Sequence, residues 1–149
     1  MNSLFNAAAY NEIVERLNNL TPESLALWGK MNVAQMLAHC SQAIKVPLSE
    51  KKLPRIFIGR LFGWLIKSKL YNETLYRQGL PTSPDFVIRD EKDFEAEKLR
   101  LLELIKRFYG LGPMGINKYP HPFFGKFTPD QWGKSIYKHI DHHLRQFGV

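Results

Sequence analysis

The chain has 149 residues, enough for one domain whose core needs neither disulfide bonds nor a metal ion to fold. Its 44% hydrophobic and 23% charged content is typical of globular proteins and excludes a chain that is disordered throughout. Its single cysteine, Cys40, excludes an internal disulfide bond, and no signal-peptide pattern opens the sequence. We therefore expect one cytoplasmic domain over residues 1–149.

The net charge is +7, and most of it comes from one segment, residues 51–77. One acidic residue, Glu73, stands there against seven basic ones: Lys51, Lys52, Arg55, Arg60, Lys67, Lys69 and Arg77. No zinc-finger spacing or RNP-like aromatic motif accompanies them, so nucleic-acid binding is disfavoured. A solvated basic flank of an internal segment is the favoured interpretation.

Three helical segments are predicted in the first third of the chain. The first runs from about Asn6 to Asn19, with an apolar stripe at Ala9, Ile13, Leu17 and Leu20. "TPES", residues 21–24, predicts a short turn of helix that carries Leu25 and Trp28. A longer helix begins after Asn32, because Gln35 can complete a capping box there, and it ends before Pro47.

Residues 54–70, "PRIFIGRLFGWLIKSKL", are apolar on almost every side but shorter than a bilayer-spanning helix. They predict either burial against the other helices or a homodimer contact. Placement on a membrane surface, with the basic flanks outward, is the less favoured alternative.

The rest of the chain predicts two loops and two long helices. Residues 71–89 and 110–127 are rich in Gly and Pro and predict loops. Between them a helix runs from Asp90, as its cap, to Tyr109, and Gly110 ends it. The last helix starts at Thr128, where Pro129 and a Thr-x-x-Gln capping box mark its first turn. Four long helices with additional short helices and long loops predict an all-α, antiparallel four-helix bundle.

The last helix carries three of the five histidines. At 100° per residue, His139 and His143 fall about 40° apart, within or beside the apolar stripe. His142 lies on the flank of this stripe, and Asp141 is predicted to point outward.

Two imidazoles four residues apart can share one metal ion, and burying them without partners costs free energy. A third ligand would come from a neighbouring helix, where His39 lies near the edge of the apolar stripe. Hydrogen-bonded core histidines explain the same spacing, because His-x-x-x-His often occurs by chance. The residues alone leave both interpretations open.

Two stretches, "MLAHC" and "HIDHHLRQ", resemble the DinB/YfiT-like superfamily of metal-binding four-helix-bundle proteins. The longer stretches "WGKMNVAQMLAHC" and "HPFFGKFTPDQWGKSIYKHIDHHLRQFGV" resemble one uncharacterised branch of it. The resemblance implies that His39, His139 and His143 bind a divalent metal ion and that His142 does not. The superfamily ending continues with Arg-Gly-Gln, whereas here Leu144-Arg145-Gln146 follows, so no role is transferred to this arginine or glutamine.

Proteins of this kind include transferases that use low-molecular-weight thiols and suspected metal-dependent hydrolases. The resemblance therefore implies a small-molecule enzyme of either type, with zinc or nickel as the first expectation for the metal and iron as the next. Ile140 follows His139, so the glutamate of the His-Glu-x-x-His proteases is missing, and the sequence names no general base or other catalytic residue. A non-catalytic, metal-stabilised interaction module is the alternative.

Two further side chains near these motifs are expected to be structural. Cys40 lies about 100° round the helix from His39, so we expect a buried, unreactive thiol. His121 either borders a pocket with Phe123 and Phe124 or, as we prefer, packs the loop onto the helices.

Overall fold

The computed structural model describes residues 2–50, 53–54, 57–116 and 119–149. These residues form five α-helices and no β-strand, so the all-α prediction is confirmed. Two short 3₁₀ helices, Lys67–Leu70 and Pro84–Phe86, lie between the third and fourth α-helices. The α-helices are α1 (Ala7–Asn18), α2 (Val33–Ile44), α3 (Phe57–Ile66), α4 (Phe94–Leu111) and α5 (Pro129–Gln146).

Three of the predicted helix starts are confirmed by their caps. The Asn6 side chain accepts hydrogen bonds from the first free backbone N–H groups of α1. Asn32 with Gln35 and Thr128 with Gln131 form complete capping boxes on α2 and α5. These starts depend only on residues within one turn, which explains why the sequence alone reveals them.

The predicted ends of α4 are wrong by a few residues. Its cap is Asp93, whose side chain accepts from the Ala96 N–H at 2.7 Å, whereas Asp90 pairs with Lys92. Both aspartates are suitable caps locally, and the helix uses Asp93, which directly precedes the buried Phe94. At the other end, α4 continues through Gly110 and stops at Gly112, which has a positive φ of 60°.

The predicted helical turn after Thr21 is also wrong, because residues 19–32 contain no helix. The Leu27 N–H donates to the Gln146 carbonyl at 2.7 Å, and the Trp28 carbonyl accepts from the Gln146 side chain at 2.6 Å. The backbone groups that would build the turn are thus paired with the end of α5. Leu25, expected on the helix, is 82% exposed.

Four helices share the core: α2 packs on α4 and α5, and α1 packs on the same two helices. The predicted apolar stripes lie inside, including the four residues expected from α1. Because α2 and α5 are in direct contact, the side chains on their facing sides are brought together. The largest fully buried side chains include Trp132, Phe108, Ile13, Leu37 and Leu101.

Helix α3 has one packed face and one exposed face, so the first predicted alternative, burial against the other helices, is wrong for most of its described side chains. The homodimer contact stays a prediction. The packed face of α3 consists of Gly59 and Gly63: a Cβ atom there would lie 2.5 and 2.6 Å from the Phe123 carbonyl oxygen. The backbone of Phe123 can approach this side of α3 so closely only because glycine has no side chain. The large side chains of the helix therefore lie on the opposite, exposed face. The basic residues Lys51, Lys52 and Arg55 of the preceding segment lie outside the described residues.

Within the described part of the chain, no helix has both the length and the apolar character needed to cross a membrane.

Candidate metal centre

Three histidines from two helices meet at the contact between α2 and α5. His39 comes from α2, and His139 and His143 lie one turn apart on α5. One ring nitrogen of each lies within 4.8 Å of the others, and the Nε2 atoms of His39 and His139 are 3.0 Å apart. The ring centroids are 4.8 to 4.9 Å apart in all three pairs. The structure thus brings together the three histidines singled out in the sequence.

The His39 ring is oriented by a backbone group from the 3₁₀ helix Pro84–Phe86, which precedes α4. Its Nδ1 atom lies 2.8 Å from the carbonyl oxygen of Phe86, which can only accept, so Nδ1 carries the proton. This tautomer leaves Nε2 with a free lone pair directed at the other two histidines. Buried metal-binding histidines commonly have such a carbonyl partner. This contact could not be predicted from local sequence signals, because Phe86 is 47 residues away.

The His143 ring has a side-chain partner one turn further along α5. Its Nδ1 atom lies 2.8 Å from Oε1 of Gln146, and Nε2 of Gln146 donates to the Trp28 carbonyl at 2.6 Å. The second bond fixes the amide so that Oε1 accepts from His143, which leaves Nε2 of His143 available to a ligand. This role of Gln146 was not predicted from the sequence. Its i, i+3 spacing from His143 was the available signal.

His139 completes the cluster but lacks a second partner. Because His39 Nε2 accepts, His139 donates through its own Nε2 in the 3.0 Å contact. Its Nδ1 atom is buried and has no hydrogen-bond partner in the described part of the structure. A buried nitrogen without a partner costs free energy, so the three histidines do not form a closed, self-satisfied network.

Burial keeps all three rings neutral. It lowers the pKa of His39 and of His139, the latter well below its usual value, and it lowers the pKa of His143 to about 3. The neighbouring imidazoles lower the pKa of His139 further, because charges on adjacent rings would repel. Neutral imidazole is the form that binds metals, so the cluster needs no proton release at neutral pH to accept an ion.

The donor set and its dimensions fit a first-row divalent ion. Two imidazole nitrogens on one tetrahedral zinc lie about 3.3 Å apart, so ring movements of about 1 Å would bring the three nitrogens to coordination distance. No carboxylate or thiolate belongs to the cluster in the described residues. Three neutral ligands would therefore leave the positive charge of the ion uncompensated.

His142 lies beside the cluster and faces a surface cleft. Its ring contacts those of Trp28 and Tyr76, at centroid distances of 5.9 and 5.6 Å, and that of His143 at 5.2 Å. The cleft has a volume of about 300 Å³, the lower end of the range for small-molecule sites. It is lined by Trp28, Leu75, Tyr76, Gln78, Lys138, Asp141, His142 and Arg145.

One protein family covers nearly the whole chain. The family described as "Protein of unknown function (DUF1569)" matches residues 3–148. The chain belongs to this family. The match spans both helices that carry the histidine cluster. Among curated proteins and among solved structures, none matches the chain.

The predicted orientation of Asp141 is wrong, because this residue is buried. Its carboxylate accepts from Nη1 of Arg16 at 2.8 Å and from Nε of Arg145 at 2.9 Å. The prediction from 100° per residue assumed that the side of α5 opposite its apolar stripe is in solvent. Helix α1 packs on α5, however, and carries Arg16, which pairs with the Asp141 carboxylate. Asp141 therefore stabilises the contact between α1 and α5 and is not directed at the cluster.

Cys40 and His121 are structural, as expected. Cys40 is 1% exposed, burial raises the pKa of its thiol, and its sulfur lies 3.8 Å from that of Met36. His121 accepts from the backbone N–H groups of Phe123 and Phe124. Its ring also packs on Trp132, so it fixes the loop before α5 against the core.

Proposed function

We propose that this protein is a metal-dependent enzyme of the DinB/YfiT-like type that binds one divalent ion through His39, His139 and His143. One observation carries the proposal: ring nitrogens from two separate helices converge within 4.8 Å. Hydrogen-bonded core histidines would explain the pair on α5. They do not explain why a third imidazole from α2 meets the pair while the buried Nδ1 atom of His139 has no partner.

The proposal includes the fold that the resemblance implies, an antiparallel four-helix bundle of α1, α2, α4 and α5. Support comes from the contacts, in which each of these helices packs on two of the other three. Sites for metals in such bundles are built from side chains on facing helices, as His39 and the α5 pair are here.

A divalent ion bound by three neutral imidazoles would lower the pKa of a water molecule or thiol that it holds, which is the chemistry of hydrolysis and of thiol transfer. The protein residues would position the ion. His39 is held by the Phe86 carbonyl, and His143 by Gln146, so two ligands are oriented before any ion binds. The proposed ion is zinc or nickel first, and iron next.

The proposed substrate is a small molecule, and the thiol of a transferase would be one of low molecular weight. Support comes from the cleft beside the cluster, in which the aromatic rings of Trp28 and Tyr76 stand next to the cations of Lys138 and Arg145. A few convergent polar groups among aromatic walls are typical of small-molecule sites.

Metal content, measured by elemental analysis of protein without a histidine tag, tests the proposal. We expect one equivalent of metal in the wild type. We expect much less metal in His39→Ala and in His139→Ala, because the loss of one ligand should lower the metal affinity more than tenfold. His142→Ala is the matched control, because it removes a histidine from the same helix but outside the cluster. Equal metal in the wild type and in the cluster variants would refute the ligand assignment.

Turnover separates the enzyme from the alternative, a metal-stabilised interaction module. The metal-loaded protein is assayed with thiols and electrophilic acceptors, and with amides and esters. We expect turnover that disappears in His139→Ala and persists in Lys106→Ala, an exposed residue of α4 that belongs neither to the cluster nor to the cleft. A protein that binds its metal through the cluster but turns over none of these compounds would favour the module.

A further inference from the structure

Helix α3 presents an apolar surface that the rest of the described chain does not cover. Five of its large apolar side chains are 50% to 70% exposed. At 100° per residue they occupy one continuous arc of about 160°, opposite the two glycines. We call this surface the α3 face, and it consists of Phe57, Leu61, Phe62, Trp64 and Leu65.

The glycine side of α3 is fixed to the protein, so the apolar side points away from it. Gly59 and Gly63 are buried against the backbone of Phe123. After the helix, the ammonium group of Lys67 donates to the Lys126 carbonyl and lies 4.6 Å from the centre of the Phe127 ring. The helix therefore cannot rotate its apolar side inward without losing these contacts.

The charge around α3 indicates what covers the α3 face. Residues 51–77 contain seven basic residues and one acidic residue, and so carry six of the seven net positive charges of the chain. Two copies of the protein that met through this helix would bring two strongly cationic segments together. An anionic partner removes that repulsion. An exposed apolar helix face within a strongly cationic segment of the sequence matches a bilayer that contains acidic headgroups.

The dimensions of α3 agree with placement on a bilayer surface. Its ten residues span about 15 Å, half of a hydrocarbon core, so the helix cannot cross a membrane and can only lie in its surface. Trp64 is 70% exposed, and tryptophan favours the boundary between headgroups and acyl chains. Its indole N–H donates to the Leu61 carbonyl at 3.1 Å, which lowers the cost of moving the ring out of water.

We propose that the α3 face binds the surface of anionic phospholipid membranes, with its apolar side chains among the acyl chains and the exposed Lys69 at the headgroups. This property is independent of the histidine cluster. It would place the protein on a membrane without any spanning segment.

Vesicle flotation with the full-length protein tests this proposal. We expect binding to vesicles of phosphatidylcholine with phosphatidylglycerol, much weaker binding to phosphatidylcholine alone, and a decrease with salt. The double variant Leu61→Ser, Leu65→Ser should bind at least tenfold more weakly, because both exposed leucines lose their acyl-chain contacts. Its matched control is Leu25→Ser, Leu99→Ser, which removes two leucines elsewhere that are even more exposed and should bind like the wild type.

The charge contribution is tested by Lys69→Glu, an exposed residue beside α3, with Lys106→Glu on α4 as its control. We expect about tenfold weaker binding for the first and a clearly smaller change for the second. Fluorescence of Trp64 should shift to the blue on anionic vesicles, and this shift should be absent in Trp64→Phe. Binding that survives the leucine variant, or no binding to anionic vesicles at low salt, would overturn the proposal. A dimer that the same leucine variant dissociates, without vesicle binding, would assign the α3 face to a second copy instead.

Discussion

The burial of His143 predicts how the stability of the metal-free protein depends on pH. Its pKa is lowered from 6.5 to about 3, because burial removes the hydration of the charged ring. Below pH 6.5 the unfolded chain therefore binds a proton here that the folded chain does not. Folding stability must fall as the pH falls through this range, whereas above it this residue contributes no pH dependence.

The size of the effect follows from the same pKa. Each pH unit between 6.5 and the folded value costs about 1.4 kcal/mol, so His143 alone removes about 2 kcal/mol of stability between pH 8 and pH 5. In a chain of this length this corresponds to a decrease of about 4 to 8 °C in melting temperature. His39 and His139 act in the same direction, because burial lowers their pKa values too.

The assay is urea unfolding, followed by circular dichroism at pH 8 and pH 5 in the presence of a chelator. The informative variant is His143→Asn, whose amide nitrogen can keep the hydrogen bond to Gln146 but does not titrate. We expect the variant to lose about 2 kcal/mol less than the wild type between the two pH values. Equal losses in both proteins would refute the reasoning, since the histidine would then be hydrated or partnered in its charged form.

Three substitutions and one labelling reaction test other contacts. Lys138→Met should destabilise the protein by about 3 kcal/mol in urea unfolding, because the buried ammonium donates to two backbone carbonyls and to Asn72 Oδ1; a change below about 1 kcal/mol would contradict these bonds. Gly59→Ala should cost about 1 to 3 kcal/mol, since its Cβ would lie 2.5 Å from a loop carbonyl, whereas Gly110→Ala has open space and should be neutral or stabilising. Cys40 should not react with an aromatic disulfide reagent in the native protein and should react on unfolding, and fast native labelling would disprove its burial.

Much of the fold was predictable because its signals are local. The capping boxes at Asn32 and Thr128 mark the starts of α2 and α5 within one turn of chain. The start of α4 was misplaced because Asp90 and Asp93 are equally good caps locally. The packing of Phe94 in the core decides between them, and it depends on helices distant in sequence.

The candidate site was predictable in part. The spacing of His139 and His143 predicted that they lie on one side of α5, and His39 was the candidate third ligand on a neighbouring helix. The residues alone did not decide between a metal site and hydrogen-bonded core histidines, and only the resemblance favoured the metal site. The hydrogen-bond partners of His39 and His143, which are Phe86 and Gln146, were not predicted. The contact between His39 and Phe86 spans 47 residues, and the orientation of the Gln146 amide depends on its hydrogen bond to the Trp28 carbonyl.

The sequence by itself determined which of the long segments are helical, where most of them start and which side of each is apolar, because these properties depend on residues three or four positions apart. Only the tertiary structure decided what each side meets. It buried Asp141 against Arg16, left the α3 face exposed and brought an imidazole of α2 to within hydrogen-bond distance of one from α5. Such contacts join residues far apart in the chain, and the free energy of packing all the helices at once selects them.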